Sequence, residues 1–331
     1  MGKLLSNAFR ACAGTIACVS VPIYDSSAQS YPAKPIRVVV GFAAGGGADL
    51  VARMIGQKLA ENLGQPVVVE NRTGAGSSIA NEKVATSLPD GYTLLVISAS
   101  ATILPALNAK LSYSLERDLT PVSFVASGPL VLVVHPSVPA HNIKELIALA
   151  RSRPGKLNYG SAGVGSTGDL GGALFALMAK VNMTHVPYKG SSESAIATAG
   201  GQVDMIITSI PPALPLLEVG KLRALAVTTA KRTSLMPSMP TIDESGLPAY
   251  DRSSWNGMLA PTGVPKDIIA RLNSAIGKAV SIPEIKDAFK KQGLEPQAST
   301  PEQFAAIIHN EIALNAKLIK LTGTNAELSL P

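Results

Sequence analysis

Two glycine-rich segments are the parts of this sequence best suited to chemistry. The first loop, residues 41–49, reads Gly-Phe-Ala-Ala-Gly-Gly-Gly-Ala-Asp, and the second loop, residues 160–169, reads Gly-Ser-Ala-Gly-Val-Gly-Ser-Thr-Gly-Asp. Each follows a strand-like apolar run and opens a segment with helical spacing. Glycines at such a turn let a ligand approach bare backbone N–H groups at the positive end of a helix, which favours an anion. We therefore predict an anion site shared by both loops, although either loop alone could be no more than a tight turn.

A third turn, residues 71–78, also precedes a helical segment and contains Gly74 and Gly76. It could line the same cleft as the first two loops, or it could be an ordinary connection between a strand and a helix. The sequence favours neither interpretation.

Other chemistries lack their required residues. The second loop contains a formal G-x-G-x-x-G at Gly163, Gly165 and Gly168, but a dinucleotide site also needs an acidic residue about 20 positions further on, where Tyr188 and Lys189 stand. The sequence has no P-loop and no G-x-S-x-G elbow. Its four histidines show no zinc-binding spacing. Since we find no pair of nucleophile and base, we expect no enzyme, no cofactor and no metal.

The N-terminus has the pattern of an export signal. Lys3 and Arg10 precede a small, apolar stretch over residues 11–22, and Ser26-Ser27-Ala28 offers a cleavage site. The stretch is shorter than the ~20 residues that a membrane span needs. We therefore predict a signal peptide over residues 1–28, cleavage near Ala28 and a periplasmic mature protein.

The two cysteines, Cys12 and Cys18, both fall inside this segment. The mature chain would then contain no disulfide, no cysteine nucleophile and no thiolate metal site. Whether Cys18 carries a lipid stays open, because Thr15-Ile16-Ala17 before it is a poor match to a lipidation motif.

The charge of the chain suits a small anionic ligand. The formal net charge is +6, and it becomes +5 when the signal peptide takes away Lys3, Arg10 and Asp25. A modest positive charge attracts anions at long range, and it also serves simple solubility. The lysines and arginines are scattered without interleaved aromatic residues, so we expect no nucleic-acid partner.

The elements around the loops alternate between strand and helix. Strands at 36–42, 67–70 and 92–98 with helices at 49–63 and 78–87 form a βαβαβ unit, which predicts parallel strands in an α/β fold. A second α/β series begins near Leu130. Its predicted strands are 130–134, 157–161, 184–188, 203–209 and 223–229, and its predicted helices are 142–152 and 169–181. The chain then returns to a strand at 255–260. A C-terminal helical part follows, with a helix at 265–280, capping boxes at Ser281/Glu284 and Thr300/Gln303, and a last helix that ends at Gly323.

Several segments in this order resemble one receptor family. They include Pro66-Val67-Val68-Val69-Glu70-Asn71-Arg72, Pro89-Asp90-Gly91-Tyr92-Thr93-Leu94-Leu95, Pro154-Gly155-Lys156-Leu157-Asn158-Tyr159 and His185-Val186-Pro187-Tyr188-Lys189-Gly190. Each is weak alone, but together they span about residues 31–297. The chain resembles the substrate-binding proteins of tripartite tricarboxylate transporters, also called Bug-type receptors.

The resemblance implies a two-lobed type II periplasmic-binding-protein fold of the α/β class, with a hinge between two domains. We expect domain 1 to comprise residues 31–127 plus 253–331 and domain 2 residues 128–252. The implied function is capture of a small carboxylate in the cleft for integral-membrane transporter subunits, by a monomer without catalytic activity. The alternative is an exported sensor whose closed form docks on a signalling receptor, and neighbouring genes would separate the two.

The resemblance also implies ligand contacts by backbone amides, hydroxyls and bridging waters. The implied first-lobe residues are Phe42, Gly46, Asp49, Ser77, Ser78, Ser98 and Ser100, and the second-lobe residues are Ser166, Thr167, Gly168, Asp169, Tyr188 and Ser209. We expect Asp49 to brace its own loop, since a carboxylate would repel an anionic ligand.

The sequence departs from the family where it has Gly168-Asp169 instead of Ser or Thr followed by His, and Ser100-Ala101 instead of Thr-His. Asp169 would repel a distal anion if it faced the cleft, or it would point to solvent. With no Arg, Lys or His at the matched positions except Arg72 and Lys189 at their edges, we predict a small monocarboxylate or an amino-dicarboxylate as ligand over a tricarboxylate.

Overall fold

The computed structural model describes residues 31–323. The predicted signal peptide, with Cys12 and Cys18, lies outside the described residues, as do residues 324–331. The strands are β1 Ile36–Val40, β2 Val67–Asn71, β3 Thr93–Ser98, β4 Leu119–Val134, β5 Asn158–Ser161, β6 Thr184–Pro187, β7 Met205–Ser209, β8 Arg223–Val227, β9 Ser253–Pro261 and β10 Glu295–Pro296. The helices are α1 Gly47–Leu63, α2 Ser78–Ala85, α3 Leu104–Leu107, α4 Ile143–Ser152, α5 Thr167–Ala179, α6 Ser191–Ala199, α7 Ile210–Glu218, α8 Lys266–Ser281, α9 Pro283–Lys291 and α10 Pro301–Thr322.

The strands join in one mixed sheet with the order β2-β1-β3-β9-β4-β7-β5-β6, and β8 and β10 pair with β4. The parallel pairing predicted for the first βαβαβ unit is confirmed, because β1 pairs in parallel with β2 and β3. β5 is likewise parallel to β6 and β7. The carboxyl ends of β1 and β5, where the two glycine-rich loops begin, thus lie at the ends of parallel strands, the usual place for ligand sites in α/β sheets.

β4 connects the two series of strands. Its residues Leu119–Pro129 pair with β9, and its residues Leu130–Val134 pair with β7 and β8. The sequence analysis missed its first eleven residues, because Pro121 and Pro129 interrupt the run. The register of β4 has three irregularities, two against β9, between Pro121 and Ser123 and between Phe124 and Ala126, and one against β8, between Leu132 and Val133.

The buried apolar side chains form separate clusters on either side of β4. One contains β1, α1 and α8, with Val51, Ile55 and Leu272 fully buried. Another contains α4, α5 and the later half of β4, with Leu146 and Phe175 at its centre. These clusters hold the helices against the sheet faces and so fix the first turns of α1 and α5 at the sheet's edge.

Predictions of helix ends were partly right. The capping box at the start of α10 is confirmed, since the Gln303 N–H donates to Thr300 Oγ1 and the Thr300 N–H donates to Gln303 Oε1. The capping box at Ser281 is wrong: α8 continues through Ser281, whose hydroxyl donates to the Gly277 carbonyl, and Ile282 caps α9 instead. Within residues 31–323, no helix is both long and apolar enough to cross a membrane.

Candidate functional site

The two glycine-rich loops have matching backbone geometry. In each, a glycine in the left-handed region, Gly45 at φ 79° or Gly165 at φ 78°, precedes an extended N-cap residue. The N-cap of α1 is Gly46, and the N-cap of α5 is Ser166, whose hydroxyl accepts from the Asp169 N–H at 3.2 Å. Left-handed φ at these positions explains the need for glycine. Both loops thereby turn the first N–H groups of a helix outward.

An aspartate at the third position of each helix closes the loop onto itself. Asp49 Oδ2 accepts from the Gly45 N–H at 2.9 Å, and Asp169 Oδ2 accepts from the Gly165 N–H at 2.9 Å. Both aspartates are buried, with 3% and 2% of their surface exposed. Each carboxylate also sits favourably at the positive end of its helix. The two acids therefore hold the loops in shape from behind.

The first loop's acid is paired with a permanent cation. Arg53 Nε donates to Asp49 Oδ2 at 3.0 Å, and Arg53 Nη2 lies 2.9 Å from Asp49 Oδ1 in an ion pair while donating to Asn71 Oδ1. Asn71 Nδ2 donates to Asp49 Oδ1 at 2.9 Å. Burial opposes ionisation of this carboxyl, but the hydrogen bonds from Arg53, Gly45 and Asn71 outweigh burial and hold the pKa of Asp49 below its usual value. Asp49 is therefore an ionised brace.

The second loop's acid is paired with a histidine. His185 Nδ1 lies 3.3 Å from Asp169 Oδ1, and His185 Nε2 lies 2.6 Å from Ser161 Oγ. The Tyr159 hydroxyl donates to Asp169 at 3.3 Å, and its ring stacks on the imidazole at 4.9 Å between centroids. Burial raises the pKa of Asp169 above its usual value despite the nearby imidazole, and burial lowers the pKa of His185 despite the nearby carboxyl. Burial thus disfavours the charged form of both members of this pair.

The outer faces of both loops line one cavity. The first turns of α1, α5, α6 and α7 all reach its wall, and β3, β4, β7 and β9 contribute strand residues. Within residues 31–323, the lining residues include no charged side chain: Phe42, Gly46, Gly47, Ala48, Ser98, Ser100, Pro129, Ala162, Ser166, Thr167, Gly168, Ser191, Ile207, Thr208, Ser209, Ser254, Asn256 and Leu294. Helix N-termini and hydroxyls thus supply the polarity of the cavity.

Close approaches hold the loops around this cavity. A Cβ atom on Gly46 would lie 2.9 Å from Ser191 Oγ, and one on Gly47 would lie 2.9 Å from Ser209 Oγ. A Cβ atom on Gly168 would overlap the Ile207 carbonyl oxygen. The Thr167 N–H donates to Ser100 Oγ at 3.1 Å, which ties α5 to the turn after β3. The glycines are needed for space as well as for backbone conformation.

Comparison with known proteins identifies the family. The sequence matches the tripartite tricarboxylate transporter family receptor over residues 51–324. The chain belongs to this receptor family. It is 38% identical to protein BugT of Bordetella pertussis over 90% of this chain and 92% of that protein. The resemblance seen in the sequence is thereby confirmed.

Solved structures extend the comparison to the fold of the receptor. A protein from R. palustris determined with adipate is 36% identical, with a TM-score of 0.87 over 89% of this chain and 99% of that one. The periplasmic binding protein BugD is 32% identical with a TM-score of 0.86, over the same shares. MatC from Rhodopseudomonas palustris, with bound malate, is 33% identical with a TM-score of 0.83 over 87% of this chain and 100% of that one. The predicted periplasmic-binding-protein fold is confirmed.

The structure of the receptor brings most of the predicted site residues to the cavity, but not all. On its wall lie Phe42, Gly46, Ser98, Ser100, Ser166, Thr167, Gly168 and Ser209. Asp49 and Asp169 lie behind the loops, so neither alternative for Asp169, facing the cleft or facing solvent, was right. Ser78 begins α2 and hydrogen-bonds the Tyr113 hydroxyl.

Ser77 and Tyr188 line a second pocket of the receptor, which shares Phe42 and Ala162 with the cavity and also contains Lys189. The third turn contributes to this pocket, with Ala75 at φ 45° and Ser77 at φ 86°. Non-glycine residues rarely adopt such values, and they persist where surrounding structure holds them, often at binding sites. The third turn is therefore placed beside the cleft, one of its two open interpretations.

The sequence analysis missed several lining residues of the receptor: Ser191, Thr208, Ser254 and Asn256. Ser191 escaped notice because α6 was not predicted, whereas Thr208 lies within β7, a strand that was predicted without assigning this residue to the site. α7 contains Pro211, Pro212 and Pro215, which argue against a helix in the sequence. The available signal was the short polar stretch after Lys189-Gly190, which fits a helix start.

The sequence analysis also found no nucleophile and base in contact, and this was wrong as a statement about geometry. Ser161, His185 and Asp169 have the mutual contacts of a serine-hydrolase triad. However, Ser161 is only 1% exposed, and its Oγ also contacts both the N–H and the carbonyl of Gly163. The Ser161 hydroxyl therefore stabilises the second loop through its hydrogen bonds to Gly163. Among residues 31–323 there is also no cluster of metal-ligating side chains.

Proposed function

We propose that this receptor captures a small carboxylate in the cavity between the first and second loops and delivers it to the integral-membrane subunits of a tripartite tricarboxylate-type transporter. The observation that carries the proposal is the convergence of helix N-termini on a cavity whose described wall bears no charged side chain. A cavity of this kind attracts a negative group through backbone dipoles and hydrogen bonds, and it contains no fixed anion that would repel one.

Donors for the carboxylate are available on both loops. Among the hydrogen bonds of residues 31–323, the N–H groups of Gly47, Ala48 and Gly168 have no acceptor. The Thr208 hydroxyl on the same wall is also buried without a partner in the described residues. Such groups cost free energy unless a ligand or water satisfies them. We infer that the carboxylate oxygens accept from these donors.

The energetics suffice without a charged side chain. Hydrogen bonds to a charged group contribute roughly 1.5–3 kcal/mol each. Four to six of them give a gross gain of about 6–18 kcal/mol, of which ordering and closure consume part. A micromolar dissociation constant corresponds to only about 8 kcal/mol. The relatives determined with adipate and with malate are consistent with a carboxylate ligand.

We propose that a small monocarboxylate or an amino-dicarboxylate, as predicted from the sequence, binds better than a tricarboxylate. Because Asp169 does not line the cavity, it cannot contact a distal carboxylate of the ligand directly. What remains is the absence of a charged side chain on the described wall, because extra carboxylates would be buried there without counter-charges. Lys189, in the second pocket, is the cation placed to receive one distal carboxylate.

We propose that the lobes are residues 31–127 plus 253–331 and residues 128–252, with β4 and β9 as the crossing strands. The change of β4 from pairing with β9 to pairing with β7 and β8 at Leu130 supports this boundary, as do the separate apolar clusters. The end of α10 contacts both proposed lobes, since Ile319 packs with Ile103 of one lobe and Leu170 of the other. Closure on a ligand should then reduce the radius of gyration in small-angle X-ray scattering.

We further propose export through a signal peptide cleaved near Ala28, function as a monomer and no catalysis. Thermal unfolding with mono-, di- and tricarboxylates tests the central proposal. A ligand at about 100 times its dissociation constant adds about 2.7 kcal/mol of stability, which raises the melting temperature by several degrees. If no member of the panel raises the melting temperature, carboxylate capture is wrong. Hydrolysis or other turnover of a bound ligand would contradict the non-catalytic role.

A further inference from the structure

The first loop's chain of contacts runs from the Gly45 N–H through Asp49 and Asn71 to the Phe42 carbonyl. The chain beneath the second loop differs from it in containing a histidine. It runs from the Gly165 N–H through Asp169 and His185 to Ser161 and then to the Gly163 N–H. Both ends of the chain are therefore backbone amides of the second loop. Anything that changes the middle of the chain acts on the backbone between Ala162 and Ser166, two residues that line the cavity.

The hydrogen-bond directions define two arrangements. With a neutral imidazole, Nδ1–H donates to Asp169, and the Ser161 hydroxyl donates to Nε2 at 2.6 Å. With a protonated imidazole, both nitrogens donate, so the Ser161 hydroxyl must turn to the Gly163 carbonyl, which lies 3.1 Å away. Both arrangements satisfy every group in the chain, so protonation requires no rebuilding of the loop.

We propose that Asp169, His185 and Ser161 form a proton-binding relay that positions the second loop, and that the receptor takes up a proton on this relay together with its carboxylate ligand. The inference rests on the proposed function. A ligand carboxylate that faces Ser166, Thr167 and Gly168 lies beside Asp169 in a buried setting, where like charges repel strongly. One proton on the Asp169–His185 pair removes that repulsion.

The titratable groups around Asp169 and His185 favour this pair as the site of proton uptake. Three phenols lie on the neighbouring elements: Tyr159 from β5, which contacts both members of the pair, Tyr188 after β6, whose ring lies against Gly160, and Tyr250, whose hydroxyl donates to the Gly171 carbonyl of α5. Lys189 and Glu193 at the start of α6 are exposed or half-buried, and the Glu193 carboxylate accepts from the Lys189 N–H.

The sign of the effect follows from linkage. An anionic ligand favours the protonated pair, so the pair binds a proton more tightly in the complex than in the free receptor. The affinity for the carboxylate therefore rises as the pH falls through the range between the pKa of the pair in the complex and its pKa in the free receptor. The rise is up to about tenfold per pH unit. The first loop should show no such effect, because Arg53 keeps its charge across this range.

The test is calorimetry with malate as the probe, from about pH 5.5 to about pH 8, in two non-carboxylate buffers of different ionisation enthalpy. Proton uptake by the wild type should exceed that of His185→Gln and of Asp169→Asn by up to about one proton per ligand. Protonation of malate itself contributes equally to all proteins and cancels in these differences. His309→Gln, on α10 beside Glu116, should behave as the wild type.

Asp49→Asn is the matched change in the first loop, and it should leave proton uptake unaltered even if affinity changes. Equal uptake by wild type and both relay variants at every pH would overturn the relay while leaving carboxylate capture intact. Failure of malate and every other carboxylate to bind any of the proteins would instead overturn the proposed function. If neither relay variant folds, NMR titration of the wild-type imidazoles decides: the pKa of His185 should rise on saturation with malate, and an unchanged value refutes the relay.

Discussion

The two glycine-rich loops share a backbone geometry but differ in the side chains that lie behind them. Gly45 and Gly165 adopt the same left-handed turn, and Asp49 and Asp169 accept from them at the same 2.9 Å. Asp49 faces an arginine, whereas Asp169 faces a histidine. The difference shows that one loop design can be braced by a permanent charge or by a titratable one. Under the proposed relay, the first loop has a fixed electrostatic state, and the second has one that depends on pH and ligand.

The largest expected effect comes from the space around the loop glycines. Gly168→Ala would force a Cβ atom onto the Ile207 carbonyl oxygen, which is backbone and cannot move aside. Gly47→Ala would meet only the Ser209 hydroxyl, at 2.9 Å. We expect Gly168→Ala to cost about 1–3 kcal/mol of unfolding free energy, measured by urea denaturation, and Gly47→Ala to cost less while weakening carboxylate binding. Equal costs would show that the second loop is not packed more tightly than the first.

Replacing each aspartate by asparagine should separate the two braces. In Asp49→Asn, the new amide nitrogen would face either the donors of Arg53 and Gly45 or the donor of Asn71. Asn71 cannot turn over to accept from it, because the Asn71 amide also donates to the Phe42 carbonyl at 2.9 Å. In Asp169→Asn, the imidazole can change tautomer and accept from the new amide. We expect a loss of about 1–2 kcal/mol for Asp49→Asn and less than about 1 kcal/mol for Asp169→Asn.

The pH dependence of the Asp49 brace has a definite sign. Its pKa is lowered in the folded protein, so its stabilisation is present above the unfolded value of about 3.9 and is lost as the pH falls through the lower folded value. The difference in unfolding free energy between wild type and Asp49→Asn should therefore shrink below about pH 4. A difference that grows on acidification would contradict the ionised brace.

Substitution of Ser100 tests the contact between α5 and the turn that follows β3. Its hydroxyl accepts from the Thr167 N–H at 3.1 Å and is buried. Ser100→Ala should leave that amide unpaired and reduce carboxylate affinity by up to about tenfold, which corresponds to about 1.4 kcal/mol. Ser87→Ala, whose hydroxyl donates to Lys83 on the surface, is the control and should not change calorimetric affinity.

The smallest effect concerns the two N-caps. Ser166→Gly would give α5 the same N-cap residue as α1 and should cost only a few tenths of a kcal/mol, whereas Ser166→Ala should cost about 1 kcal/mol. Both are measured by denaturation in urea. If the glycine variant is the less stable of the two, the Ser166 hydroxyl has a role beyond capping, such as contact with the ligand.

The sequence predicted the loops because glycine patterns and flanking periodicity are local signals. Strand β1, helix α1 and the capping box of α10 follow from side chains within a few positions of each other. The missed features depend on distant contacts. Nothing near Asp169 in the chain indicates His185, which reaches it only when β6 pairs beside β5. α7 forms despite Pro215 because its first turn packs between β4 and the cavity, and Ile210 and Ala213 are buried there.

The most direct test of carboxylate capture by both loops is an NMR titration of a receptor labelled at glycine nitrogen. The ligand is whichever carboxylate gives the largest thermal shift. The amide resonances of Gly47 and Gly168 should move downfield together and saturate at the calorimetric affinity, because both donate to the carboxylate. Gly64 and Gly220, at helix ends with nothing within 4 Å of a Cβ position, should not move. Saturable binding that leaves the Gly47 and Gly168 amides unmoved would contradict the site.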